Sequence, residues 1–499
     1  MSRQVDMFVI GAGPAGLCAA LRLQQLGYRV MLIERSAVWP RAQIGEALTP
    51  GVKNIIAFLD ANDAMEHVPH LTRLPTRLSW RSKTVETVAH ADAAVVDRAA
   101  FDAALLQLAK ARGIEVHQPA ALDSITGGAG AWQLAFSTPG ATHLVKARMI
   151  LDAQGRQGKP AQQLLSAPRL SAMWVEIAEN HIPADMAHVT QVEALAHGWL
   201  WGTRLPDRRY RVMLLSDPAT SRQLHAGEPE SWLRSQCAAS TLFADVAQQQ
   251  FSSSLQMCSA TPYVALNSWQ DGRIKLGDAA FALDPISSSG VEKAMRFSLQ
   301  AALAVHTFCQ ADNPAQQTLA HEFYQQRLLE TCARHHFWTT AYYRQAWCSE
   351  QPFWRSRSIS SLASSSLASA ASNPESRLMT DALQLEMDRL ENYREPVLQA
   401  GPGIQGDQMI RFHPAVEIVP LPCAMADKVK LLPAMRHPHL ERPLAFWENE
   451  AVLPRLEILS QQTRLASARD LLGQTMGLQK AQRLLTWLWQ RGLLEVVSH

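Results

Sequence analysis

Residues 7–10 form a short, wholly apolar run, and Leu17, Leu21, Leu23 and Leu26 then recur at helical spacing before a second apolar run at residues 28–33. A short apolar run bounded by turn residues reads as a buried strand, and the recurrence reads as an amphipathic helix. The chain therefore predicts strand, turn, helix, strand at its start. The alternation returns further on: Phe101, Leu105, Leu106 and Ala109 share one face of a predicted helix that leads into Ile114, Glu115 and Val116. Residues 149–151 and 274–276 are further short apolar strands. Between residues 170 and 263 the pattern changes to strands separated by loops and a helical insertion, among them residues 211–215 and 259–263.

After an amphipathic helix that begins at Val291 comes a stretch dense in aromatics: Phe337, Trp338, Tyr342, Tyr343, Trp347, Phe353 and Trp354. Such residues either wall a large pocket or pack as helix core, because helical spacing turns them inward. Residues 356–372 are rich in Ser and Ala and predict a linker or a loosely held surface helix. From Pro454 onward Leu471, Leu472, Met476, Leu478, Ala481, Leu484, Leu485, Leu488 and Trp489 lie at helical spacing ahead of Gly492 and an apolar ending. Two helices and a short strand make a winged-helix-like module.

Composition narrows the classes. A chain of 499 residues is too long for one simple core, so two or three domains are expected. Net charge is only +2 and the basic residues are spread out, and residues 479–491 hold only Lys480, Arg483 and Arg491. No nucleic-acid partner is expected, and the C-terminal module is assigned to peptide or protein docking. Seven cysteines lie far apart with no CxxC pair, which argues against a disulfide framework and a zinc site and for a reducing cytoplasm. No metal is expected. Asp6 interrupts the apolar N-terminus and Glu34 and Arg35 close it, so it reads as folded structure and not as a secretory signal. No run reaches the roughly 18 apolar residues of a membrane span, and no membrane partner is expected.

The predicted turn is Gly11-Ala12-Gly13-Pro14-Ala15-Gly16, and Glu34 closes the second strand at the distance a dinucleotide-binding unit requires. Gly11 permits the turn, Gly13 lets backbone approach a pyrophosphate, and Gly16 lets the helix pack close to the strand. Amides at the helix start, around Ala15, then face the phosphates. Glu34 is placed to accept hydrogen bonds from ribose hydroxyls, which favours FAD or NAD over a 2'-phosphorylated nucleotide.

The choice between them comes from a second segment. Ile274-Lys275-Leu276-Gly277-Asp278-Ala279-Ala280 is a strand ending in Gly-Asp, and Asp284-Pro285-Ile286-Ser287-Ser288-Ser289-Gly290 follows just before a helix. Residues 272–295 resemble the flavin-closing motif of single-component FAD monooxygenases and flavin-dependent halogenases. That resemblance implies FAD, with Asp278 on ribityl or pyrophosphate oxygens and Pro285 and Gly290 bending backbone around the isoalloxazine beside Ser288 and Ser289. A helix N-terminus at Gly290 would offer amides and positive dipole to the flavin pyrimidine.

Three further segments are similar to the family. Arg41 with Gly45-Glu46-Ala47-Leu48-Thr49-Pro50 resembles a flavin-facing loop, and Asp97-Arg98 the start of a helix whose arginine lies alongside FAD. Met149-Ile150-Leu151-Asp152-Ala153-Gln154-Gly155-Arg156 resembles the DAxGR strand end. The cofactor-binding set is thus Gly11, Gly13, Ala15, Gly16, Glu34, Arg35, Arg41, Arg98, Asp278 and Gly290, and the resemblance covers residues 5–345.

It implies an α/β fold: a three-layer Rossmann-like FAD-binding domain with an inserted antiparallel-sheet substrate domain and the small C-terminal module. Expected boundaries are 1–167 and 264–350 for the FAD-binding domain, 168–263 for the substrate sheet and 351–499 for the linker and C-terminal region.

It also implies flavin C4a-hydroperoxide chemistry, with the flavin itself as the reacting group and no general base assigned. Halogenases of the family carry WxWxIP and a relay lysine. Here Trp199-Leu200-Trp201-Gly202-Thr203-Arg204 keeps the tryptophans without Ile-Pro, and residues 71–80 offer only Arg73 and Arg77. Arginine stays protonated and is a poor nucleophile, which favours oxygen insertion. The paired tryptophans also fit alternate strand residues packing one face.

The chain is most similar to flavoproteins that hydroxylate a tryptophan inside a partner polypeptide during tryptophylquinone maturation. The expectation is an FAD-dependent monooxygenase acting on a peptide or protein tryptophan. The alternatives are a halogenase or hydroxylase of a small or carrier-bound aromatic, and a non-catalytic flavin-binding partner protein. No second GxGxxG is present, so electrons would come from transient NAD(P)H or a separate flavin reductase.

Overall fold

The opening strand, Arg3–Ile10, is the centre of a parallel sheet because its second half is apolar on both faces and pairs on both edges. In a computed structural model describing residues 3–38, 45–89, 93–157, 163–225, 228–359, 374–398, 406–453, 455–460 and 463–497, the parallel order is Arg273–Lys275, Ala141–Asp152, Arg3–Ile10, Val30–Ile33, Glu115–His117. The antiparallel strands Ala121–Thr126 and Trp132–Thr138 extend from Ala141–Asp152 as a meander. Phe8, Ile10, Met31, Ile33 and Ile150 pack with Leu134 and Phe136 of that meander. Helix Pro14–Gln25, buried at Leu17, Leu21 and Leu23, packs on the opening strand.

Strand register positions the chemistry. Ile10 pairs with Ile33 and with Asp152, and Asp152 pairs with Lys275. The residues that follow each strand, Gly11, Glu34, Ala153 and the Gly277-Asp278 turn, therefore emerge side by side at the carboxyl edge, where open α/β sheets bind ligands.

A second sheet has seven strands in the order Gln256–Ser259, Ser171–Ile177, Tyr210–Ser216, Gly198–Arg204, Thr190–Leu195, Thr76–Ser79, Glu86–Val88. It is wider than residues 168–263 alone, because Thr76–Ser79 pairs parallel with Thr190–Leu195 and brings Glu86–Val88 with it. Period-two alternation divides its faces. Met173, Val175, Ile177, Leu200, Tyr210, Val212 and Leu214 pack on one side with Trp232, Leu233 and Cys237 of helix Pro229–Ala238. Trp174, Trp199, Trp201, Met213 and Leu215 pack on the other with Trp80, Tyr343, Phe353 and Trp354. Trp354 is 0% exposed, so its truncation to Ala would cost about 3–5 kcal/mol.

The chain divides into two compact units, Met1–Ala302 with Gln325–Met387 and Leu303–Tyr324 with Asp388–His499. In the second, helices Leu465–Met476 and Leu478–Gln490 meet at Gly477 and pack with the small sheet Thr463–Arg464, Met409–Phe412, Leu494–Val496. Its core holds Ile410, Leu472, Leu484 and Leu488. Strands Glu417–Met425 and Lys428–Arg436 form a hairpin beside it in the chain. This is the α/β plan with an antiparallel substrate sheet and a helical C-terminal module that the residues led us to expect.

Among the described residues no helix is long and apolar enough to cross a membrane and no group of His, Cys, Asp or Glu could hold a metal. All seven cysteines are free thiols.

Candidate flavin site and the aromatic sheet

Three glycines are needed by the chain itself. Gly11 has φ +104°, and a Cβ there would lie 2.4 Å from the Ala153 carbonyl oxygen; at Gly16 it would lie 2.0 Å from the Gly11 carbonyl oxygen. At Gly277 (φ +53°) a Cβ would meet that of Ala15 at 2.7 Å, which packs the Gly-Asp turn directly on the first helix. Gly13 and Gly290 differ: a Cβ at either meets nothing within 4 Å. Both stand at helix starts, and no side chain caps Gly13. The space beside these two helix N-termini is therefore open to something other than protein, and amides with positive dipole suit anionic or electron-rich groups there.

Glu34 is buried. Its two oxygens accept from the backbone N–H groups of Ala12 and Ser36, both at 2.8 Å. It thus braces the turn, while a carboxylate's remaining lone pairs can still accept from ribose hydroxyls. Arg35 is exposed at the sheet edge. Arg41 lies outside the described residues. Arg98 opens helix Arg98–Ala111, capped by Asp97, which accepts from Ala100 N–H at 3.0 Å. Its guanidinium donates to the Gly45 carbonyl at 3.1 Å and pairs with buried Asp102 at 3.2 Å. It is thus fixed to the loop before Ala47, and a Cβ on Gly45 would lie 3.9 Å from Val291 of the Gly290 helix.

Asp278 is half exposed, 3.1 Å from the Arg156 guanidinium, and its carbonyl accepts from the Tyr263 hydroxyl at 2.6 Å. The structure therefore joins the 11–16 turn, Glu34, the 277–278 turn and the 284–290 loop, with Arg98 linked through Gly45.

Below that loop lies a network the sequence did not reveal. Asp284 is wholly buried; its carboxylate accepts from the Tyr343 hydroxyl at 3.0 Å and from Ile286 N–H at 3.0 Å. Burial raises its carboxyl to about 6, an effect that the Ile286 amide, Arg357 and Tyr343 only partly offset. The Tyr343 oxygen in turn accepts from the Trp199 indole N–H at 3.2 Å. His335, which burial pushes down to about 3, is neutral and donates to the Asp284 carbonyl at 3.1 Å. These bonds hold Pro285–Ser287 and the left-handed Ser288 (φ +50°) in place, and Ser287 and Ser289 hydroxyls bond each other at 2.7 Å. The first tryptophan of the Trp-Leu-Trp segment is tied to the loop through one tyrosine.

On the same sheet face, Arg211 pairs with Glu46 and Glu176, and Arg209 also pairs with Glu176. Arg211 lies over the Trp174 ring, 6.0 Å from its centroid. Arg77 points away from this face, since its neighbour Leu78 packs with the aromatic cluster, and it pairs with Asp185 at 2.7 Å. Arg73 is exposed, and Lys83 stands over the partly exposed Trp347 ring at 4.7 Å.

A family model described as FAD binding domain matches residues 4–322. The chain belongs to that FAD-binding family. Tryptophan 2-halogenase of Chondromyces crocatus is 28% identical over 355 residues, which cover 66% of this chain and 65% of the halogenase, just under two thirds of its length. Among solved structures, peptidyl tryptophan dihydroxylase QhpG, essential for tryptophylquinone cofactor biogenesis, superposes with a TM-score of 0.71 over 98% of this flavoprotein and 100% of that chain, at 20% identity. CmlS, a flavin-dependent halogenase, gives 0.73 over 100% and 98%, at 19% identity. These two likenesses show the fold. The family binds FAD, and the open cradle at Gly13 and Gly290 fits that cofactor.

Proposed function

We propose that this flavoprotein inserts oxygen into an aromatic ring, a tryptophan held in a peptide or protein. The observation that carries the reading is on the sheet: of residues 71–80, Leu78 and Trp80 pack with the aromatic cluster, while Arg77 turns away into an ion pair with Asp185. No side-chain amine from that stretch stands where a halogen oxidant would have to be relayed. The aromatic face itself, with Trp174 and Trp201 beside the Glu46–Arg211–Glu176 cluster, suits a flat ring with a polar edge. The substrate class is the one named for peptidyl tryptophan dihydroxylase QhpG, which shares this fold over its full length, as the halogenase CmlS also does.

When bound, reduced FAD supplies the oxygen-activating chemistry. The residues of this chain hold the phosphates at the 11–16 turn, fix the 284–290 loop through Asp284, and present a water-poor aromatic face on which the ring is oriented. Electrons would come from NAD(P)H or a separate flavin reductase.

Halogenation is the second reading, favoured by the 28% identity to a tryptophan 2-halogenase. Intact-mass analysis separates the two. A tryptophan peptide and free indole are each incubated with the protein, FAD, a reductant and oxygen, with and without chloride. Added oxygen on the peptide alone supports the proposal. A chloride-dependent gain, or turnover of indole alone, moves the assignment to a halogenase or a small-molecule hydroxylase.

A further inference from the structure

Glu46 stands where the flavin-side loop meets the aromatic face. Gly45 before it gives its carbonyl to Arg98, and Ala47 after it packs with Ile286 and the aromatic cluster. The Glu46 side chain is only 7% exposed. One carboxylate oxygen accepts from Arg211, whereas the other, Oε2, is buried and has no hydrogen-bond partner among the described residues. The second arm of Arg211 is on Glu176, and Arg209 pairs with Glu176 and Asp207.

A buried carboxylate oxygen that lacks a donor is unfavourable by about 1–3 kcal/mol, and a donor supplied by a ligand is one way to remove that cost. Arg211, itself held by Glu176, fixes the Glu46 carboxylate, and Trp174 lies under Arg211 on the same face.

We infer that Glu46 Oε2 accepts a hydrogen bond from a ring N–H or O–H of the aromatic substrate. The inference rests on the proposed function for the kind of ring, indole, and on geometry for the acceptor. A carboxylate so placed orients the ring. It also pushes electron density into it, which favours attack by an electrophilic oxygen. It further gives specificity, since a site built to accept from a ring donor rejects the analogue that lacks one.

The test uses the full-length FAD-loaded protein and two matched pairs of probes, indole with 1-methylindole and phenol with anisole, titrated by perturbation of the flavin absorbance spectrum. The wild-type protein is expected to bind indole at least about tenfold more tightly than 1-methylindole. Glu46→Gln should abolish that preference, because Arg211 claims the amide oxygen and leaves an N–H facing the ring donor. Glu46→Asp, which keeps the charge but withdraws the oxygen, should weaken it, and flavin content and melting temperature verify that both variants fold. A preference for phenol over anisole with no response to either indole keeps the acceptor and removes tryptophan as the substrate. Equal binding within both pairs, no binding of any probe, or a preference that survives Glu46→Gln overturns the inference, with the oxygen-insertion reading left to stand on its own mass assay.

Discussion

Replacing Asp284 with Asn should change how the stability of the FAD-binding unit depends on pH. The Asp284 carboxyl is wholly buried, and burial lifts it from 3.8 to about 6. The sign follows from the direction of the shift. At acid pH the carboxyl is neutral both folded and unfolded, and the group carries no penalty. As pH rises past the unfolded value the unfolded chain releases its proton first, so stability is lost until the folded carboxyl has ionised too. A gap of roughly 2 pKa units at about 1.4 kcal/mol each places that loss near 3 kcal/mol, complete above about pH 7. Asn cannot ionise, yet its carbonyl oxygen still accepts from Ile286 N–H and from Tyr343. About 1 kcal/mol of that is already lost at pH 4.5, so urea unfolding of the wild-type and Asp284→Asn holoproteins at about pH 4.5 and pH 8 should show the variant gaining about 2 kcal/mol on the wild type between the two. Parallel pH profiles would refute the reasoning. A variant that falls further behind at high pH would mean that the carboxylate is held ionised by contacts stronger than its burial.

The remaining predictions concern the cradle and the C-terminal unit. Gly13→Val should fold and lose FAD by at least about 100-fold in affinity, since a Cβ there meets no protein atom within 4 Å and the side chain would fill the ligand's space; normal flavin content in the purified variant would exclude the assignment. Gly16→Ala is the contrast: backbone 2.0 Å from the new Cβ should destabilise the protein by about 1–3 kcal/mol or more even without FAD, visible in the melting of the flavin-free form. Asp278→Ala should weaken FAD about tenfold while barely moving the melting temperature, because its ion pair with Arg156 is partly exposed; an unchanged dissociation constant counts against a flavin contact. His437 is buried, and desolvation with His439 and His413 lowers it from 6.5 to about 4. Its neutral form is the folded one, so stability should fall as pH drops from about 6.5 towards 4, and thermal scans of full-length His437→Gln should show a flatter acid limb.

Much of the cradle could be read from sequence because its logic is local. A strand, a turn needing Gly11, a helix start and an acidic strand end lie within one βαβ unit, and each residue type is dictated by its own backbone. The alternation of Trp199 and Trp201 likewise gave one face of their strand. Pairings between distant elements were out of reach. Tyr343 reaches Asp284 across 59 residues and Arg211 reaches Glu46 across 165, and a period reveals which face a side chain takes but not what it meets there. The aromatic stretch remained open between pocket wall and core for the same reason. It proves to be both: Tyr343, Phe353 and Trp354 are buried while Phe337, Trp338 and Trp347 are partly exposed. Thr76–Ser79 could not be placed in the second sheet, since parallel pairing with Thr190–Leu195 leaves no short-range mark.

The glycines of the cradle separate two demands that a motif alone merges. Gly11, Gly16 and Gly277 are glycine because chain approaches chain, so their loss should harm the fold whatever is bound. Gly13 and Gly290 face open space, so a side chain there harms only a ligand. A cofactor site built this way binds FAD without determining what the flavin oxidises. That choice falls to the sheet, where Trp199 is tied through Tyr343 to the loop at Asp284, and Arg211 holds Glu46 with one oxygen still to be satisfied. On the function proposed above, the tie would align ring and loop and the buried carboxylate would select the ring. Substitutions on this face should therefore alter the product and its yield while leaving FAD affinity unchanged, the opposite of what Gly13→Val and Asp278→Ala should do.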